Sequence, residues 1–354
     1  MNDNKTSKNS IVAKFAVPIS FLILFFLAAN FTDCDLVTFW KRRNHLTDLV
    51  VDMIPPDFSY IQKILLPLFY TIQMSVTGTV LGTFFALVLS PFGAANLGFP
   101  AVIRRILRIV IQILRSFPAL ILALTATFLF GLGTFAGTFA ITLYTFAIMT
   151  KLTYEDASAA DVKAYQALRA MGVSKYVAYI HGILPEIIPG FLTNALYLLE
   201  TNVRHSSILG YVGAGGIGLL LNEKISWLEY DKVGTILLML FLTVCVIEYF
   251  SRYLAALIRK ERTIKKEQAR LLLLFLAALF LICTFTLSLP DFSRTSPQTL
   301  RNMFAGFLQP DWSFFFSAEK DGLGYLLLET VCIAFIGTVI GAIVSAPLAF
   351  LNTK

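Results

Sequence analysis

Charge is scarce in this 354-residue chain: Asp, Glu, Lys and Arg supply 14% of it, against 57% hydrophobic residues and a mean hydropathy of +0.73. No stretch is long and polar enough for a soluble domain, so the composition excludes one and defines an integral membrane protein; a nucleic-acid partner is not expected. Histidine is scarcer still. His45, His181 and His205 fall in different loops, and Cys34, Cys245, Cys283 and Cys332 share no metal-ligand spacing. Neither a zinc site nor a disulfide framework follows, and no His-centred nucleophile can be drawn. No Walker motif occurs either, so the residues point to no catalytic set, no metal and no cofactor.

What the chain does have is length in its apolar runs. Stretches that suit a bilayer crossing of about 17 to 25 residues fall near 12–31, 67–91, 106–130, 134–150, 187–202, 233–257, 271–289 and 325–349. These predict a polytopic, all-α bundle of about eight transmembrane helices. The first run follows Lys5, Lys8 and Lys14 and ends in Ala28-Ala29, the pattern of a signal sequence, but its length favours a retained anchor. Phe31-Thr32-Asp33 is not the small-residue run a lipoprotein signal requires, which leaves Cys34 a free thiol.

One passage occurs twice. Thr71-Ile72-Gln73-Met74-Ser75-Val76-Thr77-Gly78-Thr79-Val80-Leu81-Gly82 returns as Thr330-Val331-Cys332-Ile333-Ala334-Phe335-Ile336-Gly337-Thr338-Val339-Ile340-Gly341. Ahead of each copy, Pro56-Asp57-Phe58-Ser59-Tyr60 is echoed by Pro310-Asp311-Trp312-Ser313-Phe314. Duplicated membrane units build the two halves of a pathway, which makes transport the first hypothesis. The reading divides the chain into an N-terminal anchor and external segment (1–60), a core (61–258) with a cytoplasmic loop (151–185), a basic linker (259–270) and an incomplete second unit (271–354).

Lys and Arg accumulate on the cytoplasmic side of membrane proteins, which places the N-terminus inside. The strongest contributor is the linker Arg259-Lys260-Glu261-Arg262-Thr263-Ile264-Lys265-Lys266-Glu267-Gln268-Ala269-Arg270, a positive-inside anchor in contact with anionic lipid. Gly213-Ala214-Gly215-Gly216-Ile217-Gly218 has the dinucleotide-loop spacing but lies between two spans, so the glycines are expected to serve close backbone packing at a bend. Gly78-x-x-x-Gly82, Gly337-x-x-x-Gly341 and Gly133-x-x-x-Gly137 have the spacing that lets helices approach closely.

The longest polar stretch on the cytoplasmic side runs from Lys151 to Pro185 and reads as two short helices broken at Gly172, with Pro185 opening the next span. So long a structured insertion between tightly connected spans is a docking loop. Its run Gln166-Ala167-Leu168-x-x-x-Gly172, ending in Leu184-Pro185, resembles the EAA loop of binding-protein-dependent ABC importer permeases, the loop that seats in a cleft of the ATPase subunit. With Arg115-Ser116-Phe117-Pro118, Gly131-Leu132-Gly133-x-x-Ala136-Gly137, Glu200-x-Asn202-Val203-Arg204 and Val212-Gly213-Ala214-Gly215-Gly216-Ile217-Gly218, the chain is similar to the phosphonate importer permeases over residues 60–258. Residues 325–352 resemble the opening core span of a second such domain, as in tandem-fused members. The glutamate of the EAA loop is Gln166 here, its second alanine is Leu168, and the isoleucine before Leu-Pro is Gly182, which leaves Glu155 and Asp156 as acidic candidates.

The resemblance implies a type I ABC importer permease in the bacterial inner membrane. Its partners would be an ABC ATPase, an external phosphonate-binding protein and a second permease half, supplied by another copy or a separate chain. It implies an ATPase-docking set of Glu155, Asp156, Gln166, Ala167, Gly172, Leu184 and Pro185. The pathway or gate would comprise Glu200, Asn202, Arg204, Gly213, Gly215, Gly216 and Gly218. Arg204 suits a phosphorus oxyanion because its planar fork pairs two oxygens, yet Glu200 and Arg204 lie four apart on a helix and are expected to brace each other. A permease for phosphate or methionine, or a duplicated remnant that does not transport, remains open.

Overall fold

Apolar runs that cross a bilayer become helices because hydrocarbon offers no partner for a free N–H or C=O. The computed structural model describes residues 20–34, 36–261, 266–288, 301–302, 305–306, 309, 312–317 and 322–351. Among them every regular element is helical. Lys5, Lys8, Lys14, residues 12–19 of the expected first span, 262–265 of the linker, residue 289, Pro310-Asp311 and 352–354 lie outside the described residues.

The described helices of eight residues or more are α1 (Ser20–Phe31), α2 (Leu36–Asp52), α3 (Ile61–Gly93), α4 (Ala101–Ser116), α5 (Ala119–Phe130), α6 (Thr134–Ala159), α7 (Lys163–Ala170), α8 (Lys175–Gly182), α9 (Leu184–Leu209), α10 (Ile217–Ser226), α11 (Tyr230–Ile258), α12 (Lys266–Phe285) and α13 (Leu323–Leu351). Four of these, α3, α6, α11 and α13, are long and apolar enough to cross a membrane as single rods. Two bent pairs, α4–α5 and α8–α9, reach that length together, and α1 and residues 274–285 of α12 are shorter apolar pieces.

Three expectations change. The span expected at 106–130 is broken by a 94° bend between α4 and α5. Pro118 disfavours helical backbone at the residue before it, and Phe117 is extended, at φ −84° and ψ 124°. The span expected at 187–202 is longer, since α9 runs from Leu184 and leaves α8 at 70°. The segment expected to be external contains α2, whose mixture of charged and apolar residues has no clean apolar run to announce it.

The chain forms two compact units, residues 49–301 and residues 1–48 with 302–354. In the larger unit α3 is the central rod and packs mainly on α6. Gly78 and Gly82 permit this: a Cβ on Gly78 would stand 2.7 Å from Ile141 Cγ2, and one on Gly82 2.6 Å from the Thr142 carbonyl. Met74, Ala123, Ala136, Ala140 and Ile141 fill the core between α3, α5 and α6. In the smaller unit α1 packs on α13 through Phe21 against Phe335 and Phe31 against Tyr325, with ring centroids 5.0 and 4.9 Å apart. Gly337 and Gly341, which match Gly78 and Gly82 in sequence, face nothing within 4 Å.

Candidate functional site

At one end of the larger unit, α7 and α8 form a hairpin between α6 and α9. Asp161 opens it by accepting the Lys163 backbone N–H at 3.0 Å; that bond and the Lys163 ammonium hold its carboxyl below the usual carboxylate range. Gly172 makes the turn at φ +85°, and Arg169 Nη1 donates to the Val173 carbonyl across it. Gly182 lets the two helices close, because a Cβ there would stand 2.8 Å from Tyr165 N.

The hairpin is anchored on its inner face. Tyr165, Ala178, Tyr179 and Ile183 pack with Ala94, Leu97 and Ala157. Tyr165 Oη donates to the Leu97 carbonyl at 2.7 Å, and Lys175 Nζ donates to the Gly98 carbonyl. Helix ends leave carbonyls without partners, and side chains supply donors here. Asn96 Nδ2 donates to Ala157 O at 2.9 Å, and Arg108 donates to Gly93 O through Nε and Nη2 at 3.0 and 2.9 Å. The hairpin, the 94–100 loop and the ends of α3 and α6 therefore form one hydrogen-bonded block. The outer face is left open: Gln166, Ala167, Ala170 and Val177 are exposed, and Met171 is 70% exposed.

Glu155 and Asp156 do not belong to the hairpin. They lie exposed on the last turns of α6, which extends beyond the expected span, and Glu155 pairs with Lys151 at 3.5 Å. Pro185 sits in the first turn of α9, where a missing N–H costs little, and Leu184 is half-buried beside it. Tyr165, Asn96, Arg108 and Lys175 carry the block but escaped the sequence reading, because their partners are backbone carbonyls that no side-chain pattern announces.

Along α3, α6 and α9 runs a ladder of buried polar side chains. Asn202 Nδ2 donates to Thr79 Oγ1 and Thr145 Oγ1, both at 2.8 Å, and the Ser75 and Ser206 hydroxyls are 3.0 Å apart. Asn202 is thus fully buried and ties three helices together. Arg204 and Glu200 form an ion pair on the opposite face of α9, with Arg204 exposed and Glu200 half-buried, and His205 stands edge-on to Tyr144 at 5.5 Å.

The glycine loop after α9 lies at the opposite end. Gly213, Gly215 and Gly216 have φ of +86°, +80° and +74°. Gly133 N donates to Gly213 O at 3.0 Å, and Ile217 N donates to Thr71 Oγ1 at 2.8 Å. A Cβ on Gly216 would lie 2.6 Å from Thr71 Oγ1, and one on Gly218 would run into the Ser207 carbonyl. This is close backbone packing with no phosphate cradle. Among the described residues no three His, Cys, Asp or Glu side chains gather as a metal site.

A bundle of membrane-length helices with a polar interior and an anchored helical hairpin at one end defines the class of polytopic membrane transport subunits. More closely, residues 78–263 match the family described as binding-protein-dependent transport system inner membrane component, and the chain belongs to that family. The phosphite transport system permease protein PtxC of Stutzerimonas stutzeri is 31% identical over 217 residues, covering 61% of this chain and 79% of that one. The putative phosphite transport system permease protein HtxC of the same organism is 32% identical, covering 60% and 76%. The phosphate-import permease protein PhnE of Mycolicibacterium smegmatis is 31% identical, covering 57% of this chain and 38% of that one. Among solved structures, a chain of the inward-facing MetNI methionine ABC transporter superposes with a TM-score of 0.51 at 21% identity, covering 57% of this chain and 99% of that one. That likeness establishes a shared fold.

Proposed function

We propose that this chain is a permease subunit that moves a phosphorus oxyanion of the phosphite, phosphonate or phosphate class inward across the cytoplasmic membrane. A separate ATPase drives it, and an external binding protein delivers the solute. The observation that carries the reading is the anchored hairpin with its open outer face, found in a chain whose curated relatives are named for phosphite and phosphate transport. Methionine has support only from the fold, at 21% identity.

In this reading the hairpin and the linker from Arg259 lie on the cytoplasmic side together with the N-terminus, as the placement of Lys and Arg requires. The ATPase seats on Gln166, Ala167, Ala170 and Met171. Gln166 offers a hydrogen bond where the related loops offer a carboxylate, and Glu155 and Asp156 flank the seat. When ATP closes the ATPase dimer, the hairpin moves as a block. Ile183 passes that motion to α9, which carries Glu200, Arg204 and Asn202, while the Leu97, Gly98 and Ala157 contacts pass it to α3 and α6. The Glu200–Arg204 pair braces the pathway, and the packed glycine loop closes its outer end. A second permease half, from another copy or a separate chain, completes the pathway.

Reconstitution in lipid vesicles with the ATPase and the binding protein tests this. ATP hydrolysis is expected to rise with binding protein loaded with phosphite, phosphonate or phosphate and to stay basal with methionine. Stimulation by methionine alone would overturn the substrate class. Failure of a folded, ATPase-bound complex to respond to any of them would overturn transport.

A further inference from the structure

Four arginines and no acidic residue lie on α4, and the structure settles them differently. Arg108 donates to the Gly93 carbonyl through Nε and Nη2, and its guanidinium stands 5.0 Å from the Tyr154 ring centroid. Arg115 lies seven residues further on, along the same face of the helix. The 94–100 loop ties the start of α4 to the hairpin, and Gly133, just after α5, bonds to the glycine loop. So α4 and α5 run from one end of the bundle to the other, and α6 runs back. Arg115 is thus carried about 10 Å beyond Arg108 towards Tyr144, which stands about 15 Å from Tyr154 along α6. The Tyr144 hydroxyl lies within electrostatic reach of both the Arg115 guanidinium and the Tyr197 hydroxyl of α9.

These three groups border a polar surface. Arg115 is exposed, Tyr197 is 65% exposed, and Tyr144 is half-buried against His205. Tyr197, Thr201 and Arg204 follow one another along the face of α9 turned away from Asn202. α11 exposes the opposite chemistry, with Leu238, Phe241, Leu242 and Val246 suited to lipid. Ionisable groups at membrane depth face a pathway or a partner rather than hydrocarbon.

The two exposed arginines are not equivalent. Arg204 is paired with Glu200, whereas Arg115 enters no ion pair among the described residues. The carbonyls that end α4 carry only about half a negative charge, so a net positive charge remains at Arg115. No hydrogen bond engages the Tyr144 or Tyr197 hydroxyl among the described residues, which leaves two donors beside that charge.

We propose that Arg115, with the Tyr144 and Tyr197 hydroxyls, forms the station at which the phosphorus oxyanion halts on its way through the bundle. The guanidinium fork pairs two of its oxygens, and the phenols donate to the third. Arg204, held by Glu200, braces the pathway without binding the anion. The inference rests on the permease reading and places its anion site at the bend between α4 and α5, where Pro118 ends the helix just beyond Arg115.

The test reads binding without requiring transport. The full chain in maltoside detergent is titrated with methylphosphonate, and the phosphorus NMR line width of the probe is followed. The parent is expected to broaden the line, and R115Q to bind at least about tenfold more weakly, because a hydrogen-bonded charge is lost. R115K should fall between them, since an ammonium keeps the charge and loses the fork. Y144F and Y197F should each weaken binding by about fivefold while melting like the parent. R105Q removes the same charge from the same helix and is expected to bind like the parent. Equal broadening by R115Q and the parent overturns the station, as does no broadening by the parent at all. An equal loss in R105Q overturns it too, by reducing the effect to the overall charge of α4. Broadening that depends on Arg115 in a chain that takes up no phosphonate in vesicles would uphold the anion site and overturn the transport reading instead.

Discussion

At Gly182 the absence of a side chain sets how closely α7 and α8 approach. A methyl group there meets the Tyr165 backbone, which cannot rotate away, whereas Gly190 in α9 has nothing within 4 Å. Gly182→Ala is expected to lower stability by about 1–3 kcal/mol through overpacking. Gly190→Ala gains helix propensity of up to about 1 kcal/mol. Thermal melting of the two variants in detergent should therefore fall on opposite sides of the parent; equal melting would mean that the hairpin backbone gives way freely. Sequence comparison marks Gly182 only as a departure, and the contact explains why a small residue fits. Asn202 shows the reverse case. Its place in a polar run suggested the pathway, but both of its donated bonds run to threonines of neighbouring helices. Such bonds average about 0.6 kcal/mol in membrane bundles, so its contribution is a modest one that sets helix register.

Between elements, the ends of helices decide the geometry. Pro118 converts one expected span into α4 and α5, and the residue before a proline is the readable cause. The join of α10 and α11 depends on charge instead. Glu229 accepts from Lys232 Nζ at 2.7 Å and pairs with Lys224 Nζ at 2.9 Å, and these two cations, Lys232 first, hold its carboxyl below the usual range. A carboxyl lowered in the folded state contributes fully above its unfolded value and loses that contribution as pH falls through the folded one. Melting temperature is expected to stay level down to about pH 5 and to decline below the ordinary carboxylate range. Glu229→Gln should reduce that acid decline, and added salt should weaken it because the groups are solvent-screened. An unchanged acid limb in the variant would remove the ion pairs from the account.

In the proposed function the outer face of the hairpin is the surface that receives the ATPase. Ala167 is exposed on its outer face and makes no part of the buried cluster, so Ala167→Trp should leave melting unchanged while ATPase capture in detergent falls at least tenfold. Undiminished capture would move the docking surface elsewhere. The apolar runs by themselves determined an all-α membrane bundle, because crossing hydrocarbon forces every backbone group into a helix. Gly172 likewise marked the hairpin turn, because a left-handed backbone favours glycine. Tertiary structure alone decided where the helices bend in space, that Asn96 and Arg108 satisfy the ends of α6 and α3, and that α12 sits on α3. Those outcomes depend on donors meeting backbone carbonyls far away along the chain, and a carbonyl is present at every residue and so leaves no mark in the sequence.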